Sequence, residues 1–391
     1  MLSGQTLSKP SDFTRPALRL VPARTARRVM AAPERVPRNF LSEPAPAVDP
    51  ALVRCSHIVD RPYRKHRVVG TSDGVRLAVC DTGPRSAEHT VVFLHGLCLN
   101  HTSWDQQITY LLRRYGRSVR IISYDHRGHG RSAPAPMSTY RIDQLADDLA
   151  RVLTALDVTG PLTLVGHSMG GMTALAYLGR PAAERPIEPD GLVLVATAAG
   201  NLAARGLARL LATPAPAALV GLIKHTPEHA LHALVGPVCA TLRRWHGHGH
   251  SASLAATVVT ALTTTPMATA VGFLPSLRGY NQYATLKSVH ARTVVISGGL
   301  DPLTPPSHAA DMSAGICGAE HIHVPYAGHM LPQQVPHVIN DAIRQTIPVP
   351  LQRRRHEPSM ARQDGMRATT HAKALPPKET DQPLPRSESR S

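Results

Sequence analysis

Leu162-Thr163-Leu164-Val165-Gly166-His167-Ser168-Met169-Gly170-Gly171 is the stretch on which the fold turns. A short apolar run, Leu162 to Val165, suits a strand buried in a sheet. From Met169 to Leu178 the pattern becomes helical. Between them Gly166-His167-Ser168-Met169-Gly170 puts a serine on a sharp strand-to-helix turn, which lifts its hydroxyl above the sheet. Small residues two before and two after the serine keep side chains from colliding in that turn, and Gly171 lets the helix lie close on the strand. A Gly-x-Ser-x-Gly pentapeptide is common by chance, and its weight here comes from the strand before it and the helix after it. The helix start also directs its dipole and free N–H groups toward negative charge developing at the turn.

A serine hydroxyl is a weak nucleophile until a base takes its proton, so the rest of the chain is searched for a histidine and a carboxylate. Thr293-Val294-Val295-Ile296-Ser297 reads as a strand running into Gly298-Gly299-Leu300-Asp301-Pro302. Asp301 therefore stands at the carboxyl end of a strand, where α/β sites gather. His321-Ile322-His323-Val324-Pro325 then leads into Tyr326-Ala327-Gly328-His329-Met330, a histidine in a loop before the last helix. The order Ser168, Asp301, His329 is the order this architecture uses. The strand Leu192-Val193-Leu194-Val195 is followed by Ala196 to Asn201 with no carboxylate, and Asp190 lies at its other end. Asp311, ten residues beyond Asp301, falls in a predicted helix and is expected to be silent. A carbonyl attacked by serine becomes an oxyanion that needs preformed N–H donors. Met169, directly after the serine, supplies one. Leu97, in the loop Phe93-Leu94-His95-Gly96-Leu97-Cys98, supplies the other.

Working outward, Arg67 to Gly70 and Val75 to Cys80 flank Ser72-Asp73-Gly74, a hairpin signal. His89 to Leu94, Val119 to Tyr124, Gly191 to Ala196 and His321 to Val324 read as further strands. Ser103-Trp104-Asp105-Gln106 reads as a capping box opening a helix to about Tyr115. Ile142, Leu145, Ala146, Leu149, Val152, Leu153 and Leu156 recur at helical spacing, and Val335 to Ile347 reads as the last helix. Strands alternating with helices predict a mostly parallel sheet with helices on both faces. Between about 200 and 286 the alternation stops in an Ala/Leu-rich helical stretch, which reads as an inserted cap.

With these blocks in view the chain resembles the α/β-hydrolase superfamily. His95-Gly96, Tyr124 to Ser132 (Tyr-Asp-His-Arg-Gly-His-Gly-Arg-Ser), Gly166 to Gly171 and the Asp301/His329 pair carry the resemblance, over roughly residues 65–348. It implies a serine hydrolase cleaving carboxylic esters or thioesters through an acyl-enzyme, with Ser168, Asp301 and His329 catalytic and Leu97 and Met169 forming the oxyanion hole. It needs neither metal nor cofactor. Serine at the elbow argues against epoxide hydrolases and haloalkane dehalogenases, which use aspartate there. Acyltransferases and cofactor-free haloperoxidases or perhydrolases share the same triad and stay open. So does a noncatalytic small-molecule-binding protein of the same fold. Arg127, in the Asp125-x-Arg127-Gly128-x-Gly130 loop, reads as structural.

Composition narrows the partners. The chain of 391 residues carries a formal net charge of +16. Residues 1–69 hold 13 Lys/Arg against 5 Asp/Glu, residues 350–391 hold 9 against 5, and residues 70–349 hold 21 against 17. The positive charge thus gathers in the ends, and no nucleic acid is expected as partner. Residues 1–62 and 350–391, rich in Pro and Arg, read as disordered arms around a domain at 63–349; Met30 is an alternative start. Five cysteines with no Cys-x-x-Cys pair argue for a reducing, cytoplasmic setting. The most apolar stretch, Leu207 to Ile223, is interrupted by Arg209, Pro214 and Pro216, so no transmembrane segment is expected. A second rival function lies in the basic arms, as an interaction module. In the cap, His225, His229, His232, His246, His248 and His250 hint at a metal, but no carboxylate or cysteine accompanies them, and a solvent loop is the favoured reading. Apolar cap residues would suit an aliphatic or aromatic acyl ester. Cys98 reads as a packing residue, since no activating partner stands in its loop.

Overall fold

The computed structural model describes residues 64–214, 216–218, 220–221 and 265–347. The two arms and the histidine-rich part of the cap lie outside the described residues. Along the chain the elements are β1 Arg64–Gly70, β2 Arg76–Thr82, β3 His89–Leu94, α1 Asp105–Tyr115, β4 Val119–Tyr124, α2 Ile142–Ala155, β5 Leu162–His167, α3 Met169–Leu178 and β6 Gly191–Val195. The cap stretch contributes α4 Met267–Gly272 and α5 Leu274–Gly279. Then follow β7 Arg292–Gly298, α6 Pro306–Gly315, β8 Glu320–Val324, α7 Leu331–Gln334 and α8 Pro336–Thr346.

The strands form one eight-stranded sheet in the order β1-β2-β4-β3-β5-β6-β7-β8. The first hairpin is antiparallel, β2 joins β4 antiparallel, and every other pairing is parallel. Strands β3, β4, β5 and β6 are buried along their whole length. This explains why their sequences run apolar instead of alternating. One face packs on α2, α3 and α6 through Leu149, Leu153, Leu175 and Met312. The other packs on α1 and α8 through Ile108, Leu111, Ile339 and Ile343. The strand order reverses at β3, and β5 beside it carries Ser168 at its carboxyl end, the position where ligands bind in such sheets.

One expectation needs correcting. Ser103 does not cap a helix: it lies inside a 3-10 turn, His101–Trp104, where its backbone cannot take the extended shape a cap requires. Asn100 caps that turn instead, its side chain accepting from the Thr102 N–H at 2.9 Å. The last helix, expected over Val335 to Ile347, runs Pro336–Thr346 between those two residues as caps, and a separate short helix, Leu331–Gln334, precedes it. Pro332 and Pro336 each sit in the first turn of their helix, so each proline opens a new helix. In the cap, the described segments comprise 3-10 turns at Leu202–Ala204, Gly206–Ala212 and Tyr283–Ser288 besides α4 and α5. Its two stems are joined by a Gly200–Asn281 bridge and by the Gln282 N–H donating to the Ala199 carbonyl at 2.6 Å.

Candidate active site

β5 ends at His167, α3 begins at Met169, and Ser168 between them has φ 51° and ψ −118°. This is a left-handed conformation for a residue with a Cβ, which costs on the order of 1–3 kcal/mol. Several bonds hold it. The Ser168 N–H donates to the Val195 carbonyl at 2.9 Å, and its own carbonyl accepts from the Thr197 hydroxyl at 2.7 Å and the Gly171 N–H at 2.9 Å. Gly170 lies so close to β3 that an added Cβ would collide with the Leu94 carbonyl, which accounts for the small residue two after the serine.

Asp301 and His329, 28 residues apart in sequence, meet at Ser168. His329 Nε2 lies 3.0 Å from Ser168 Oγ, and His329 Nδ1 lies 2.8 Å from Asp301 Oδ2. Asp301 is buried, and its Oδ1 accepts from the backbone N–H groups of Leu303 at 2.9 Å and Thr304 at 3.0 Å. The Thr304 hydroxyl donates to Oδ2 at 2.7 Å. Burial alone would raise the Asp301 pKa, but the His329 charge and the hydrogen bonds from His329 and Thr304 prevail and hold it below the usual carboxylate value. The structure thus brings Asp301 and His329 together beside Ser168.

The loop after β3 lies against the serine. A Cβ added to Gly96 would sit 3.0 Å from His167 Nδ1 and 3.3 Å from Ser168 Cβ, so a side chain there would crowd the turn that carries the serine. Leu97 follows, half-buried, and its N–H has no hydrogen-bond partner among the described residues. Met169 is the first residue of α3, a position whose N–H has no acceptor within the helix.

Sequence reasoning missed two side chains at this site. His167, buried beneath the elbow, donates from Nε2 to the His329 carbonyl at 2.9 Å and so ties the serine turn to the histidine loop. Burial, and after it the nearby His329, depress its pKa to about 3, so it stays neutral. Its place next to the serine was the only signal. Thr304 is the other, and the pattern Asp301-x-x-Thr304, in which an aspartate accepts bonds from residues two and three ahead, could have revealed it. Arg127 is fully buried and held by two bidentate partners, Asp148 at 2.7 and 2.8 Å and Asp73 at 2.7 and 3.1 Å, so it ties α2 to the first hairpin. Cys98 is buried, and that burial pushes its thiol up to about 12. Asp311 pairs with Arg205 at 2.7 Å and accepts from the Tyr283 hydroxyl at 2.8 Å, linking α6 to both stems of the cap. Among the described residues no three His, Cys, Asp or Glu side chains converge as metal ligands; the cap histidines 225 to 250 lie outside them.

Similarity to known proteins follows the same outline. The chain is 38% identical over 118 residues to the probable oxidoreductase EphD of Mycobacterium bovis, a stretch covering 30% of this chain and 19% of that protein. It is 39% identical over 112 residues to a non-heme chloroperoxidase of Streptomyces lividans and 38% identical over 112 residues to the bifunctional esterase/perhydrolase DCH of Acinetobacter calcoaceticus. Each match covers 29% of this chain and 38% of the relative. The aligned stretch thus spans less than half the length of these relatives. In structure, a thermophilic esterase from Thermogutta terrifontis superposes with a TM-score of 0.55 at 24% identity, over 72% of this chain and 97% of that one, and so shares the fold. The family model for the alpha/beta hydrolase fold matches residues 89–332, a span enclosing Leu97, Ser168, Met169, Asp301 and His329, and the chain belongs to that family.

Proposed function

We propose that the protein is a serine hydrolase that cleaves carboxylic esters or thioesters through an acyl-enzyme. The observation that carries this reading is the hydrogen-bonded chain running from the Ser168 hydroxyl through both nitrogens of His329 to Asp301. As Ser168 Oγ attacks the acyl carbon, its proton passes to His329 Nε2. The imidazolium so formed is stabilised by the Asp301 carboxylate, which also holds Nδ1 in its protonated tautomer. The carbonyl oxygen becomes an oxyanion and takes the N–H groups of Leu97 and Met169; a donor of this kind is worth roughly 10²–10³ in rate. His329 then protonates the departing alcohol or thiol. Water, deprotonated by the same imidazole, releases the acid and restores the serine. Fluorophosphonate labelling, together with turnover of p-nitrophenyl esters of graded chain length, tests the reading. Wild type should label and turn over, and Ser168→Ala should do neither while keeping its fold. Full labelling of Ser168→Ala would refute the assignment.

A second reading uses the same intermediate. Hydrogen peroxide in place of water would attack the acyl-enzyme carbonyl and leave as a peroxy acid, with the proton returned through His329 to Ser168. Its support is the similarity to a bifunctional esterase/perhydrolase and a non-heme chloroperoxidase. Peroxy-acid formation from acetate and peroxide, measured beside ester hydrolysis, separates the two. The domain is taken as residues 63–349 with a cap at about 200–286, acting on a small apolar acyl ester in the cytoplasm. Among the described residues Cys80, Cys98 and Cys317 form no disulfide, in keeping with a reducing compartment. No helix among the described residues is long and apolar enough to cross a membrane.

A further inference from the structure

The peptide linking Gly96 and Leu97 is held from its oxygen side. His95 Nδ1–H donates to the Gly96 carbonyl at 2.8 Å. In a planar trans peptide the C=O and the following N–H point in opposite directions, so fixing that oxygen aims the Leu97 N–H. The next peptide is held from its nitrogen side: the Cys98 N–H donates to His129 Nε2 at 3.1 Å. An imidazole that accepts at Nε2 carries its proton on Nδ1, and His129 Nδ1 lies 3.0 Å from the Arg127 carbonyl, to which it donates. The two rings pack edge-on, centroids 5.2 Å apart, and a third histidine braces His95. His95 Nε2 accepts from the His126 N–H at 2.9 Å, and His126 Nε2 lies 3.2 Å from the His95 carbonyl, to which it donates. Accepting at Nε2 requires His95 and His129 to be neutral. All three are fully buried, and burial drives His95 to about 4, His129 to about 3, and His126 well down. Phe273 closes over His129 with ring centroids 5.8 Å apart. Cys98 itself stands at φ 61°, a left-handed conformation that a residue with a Cβ holds only when its surroundings over-determine it.

We infer that His129, 31 residues beyond Cys98 in the chain, is a positioning residue for the oxyanion hole: with His95 it clamps the peptides on both sides of Leu97. The inference rests on the serine-hydrolase reading, because it needs an oxyanion at Leu97. Among the described residues no hydrogen bond or ring contact joins His129 to Ser168 or His329, so its loss misdirects one donor and leaves the nucleophile–base pair alone.

The test compares wild type, His129→Phe and His129→Gln, the last of which keeps an acceptor for Cys98 and a donor for Arg127. For His129→Phe, kcat on a p-nitrophenyl ester should fall about 10–100-fold, less than complete loss of an oxyanion donor. KM should stay within about threefold, since ground-state binding is not touched. Affinity for a boronic acid that forms a tetrahedral serine adduct should fall with kcat, while the pH midpoint of kcat/KM stays in place. His129→Gln should recover most of the loss. Imidazole 15N shifts of wild-type His129 should report the Nδ1–H tautomer, and this measurement holds even if His129→Phe does not fold. An active wild type with an unchanged His129→Phe, or an Nε2–H tautomer, overturns the clamp alone. A wild type with neither ester turnover nor fluorophosphonate labelling overturns the hydrolase reading, and the clamp with it.

Discussion

Replacing Asp301 by Asn should do more than remove a charge. The side-chain oxygen that now accepts from the Leu303 and Thr304 N–H groups must remain an oxygen, since an NH₂ there would face two donors at about 3 Å. The amide nitrogen is therefore forced into the Oδ2 position, between the Thr304 hydroxyl and His329 Nδ1. The threonine hydroxyl can rotate to accept, whereas His329 Nδ1 can accept only by giving up its proton. His329 is then locked as the Nε2–H tautomer, and Nε2, 3.0 Å from Ser168, donates to the serine instead of taking its proton. Wrong-tautomer variants of such triads lose roughly 10⁴ in kcat, which is about 5.5 kcal/mol of barrier. We expect a loss of 10³–10⁴ in turnover of a p-nitrophenyl ester, on the order of that precedent, with KM within about threefold. Stability carries a second signature. Because the folded Asp301 pKa lies below its unfolded value, its contribution is complete above the unfolded pKa and is lost as pH falls through the folded one. The melting-temperature gap between wild type and Asp301→Asn should therefore be full at neutral pH and close in acid. A folded Asp301→Asn retaining more than a tenth of wild-type kcat would refute the pinned-amide argument.

Other consequences can be checked alongside. Arg127→Met strands the buried Asp148 carboxylate, and breaking a buried pair costs about 3–5 kcal/mol. At about 2–4 °C per kcal/mol, thermal melting should drop by roughly 6–20 °C, while kcat of the folded fraction is unchanged. Iodoacetamide at pH 8 followed by peptide mapping should modify the exposed Cys317 and spare Cys98, whose buried thiol is pushed up to about 12. Asp311→Asn should leave ester turnover intact yet loosen the cap stems, seen as faster amide exchange at Gln282 and Tyr283, because Asp311 binds Arg205 and Tyr283 and makes no bond to His329. Residues 63–349 alone should keep the ester rate and melting temperature of the full chain, and loss of either would show that an arm docks on the domain.

The fold was legible because its signals are local. A strand such as Val91-Val92-Phe93-Leu94, buried on both faces, must be apolar at consecutive positions. α2 must place Leu145, Leu149 and Val152 on one side, and both patterns survive in one dimension. Where a local pattern had two structural outcomes the reading failed. Ser103-x-x-Gln106 fits a capping box, yet a 3-10 turn begins two residues earlier because Asn100 captures the Thr102 N–H and hydroxyl first.

The site divides along the same line. Ser168 was legible because its strained turn needs Gly166 and Gly170 beside it, and Asp301 and His329 because each follows a strand that the sheet must align with β5. The residues that hold these groups still left little trace. His167 acts through Nε2 on a backbone carbonyl 162 residues away, and His129 through Nε2 on a backbone N–H 31 residues away. A backbone partner imposes no residue type at the far end, so no pair of letters records the contact. The chain has 22 histidines, and only burial with a fixed tautomer distinguishes those that brace the loops from those that meet solvent. The three-dimensional structure therefore adds most where side chains grip backbone, and that is where the loop after β3 and the loop carrying His329 are held in place.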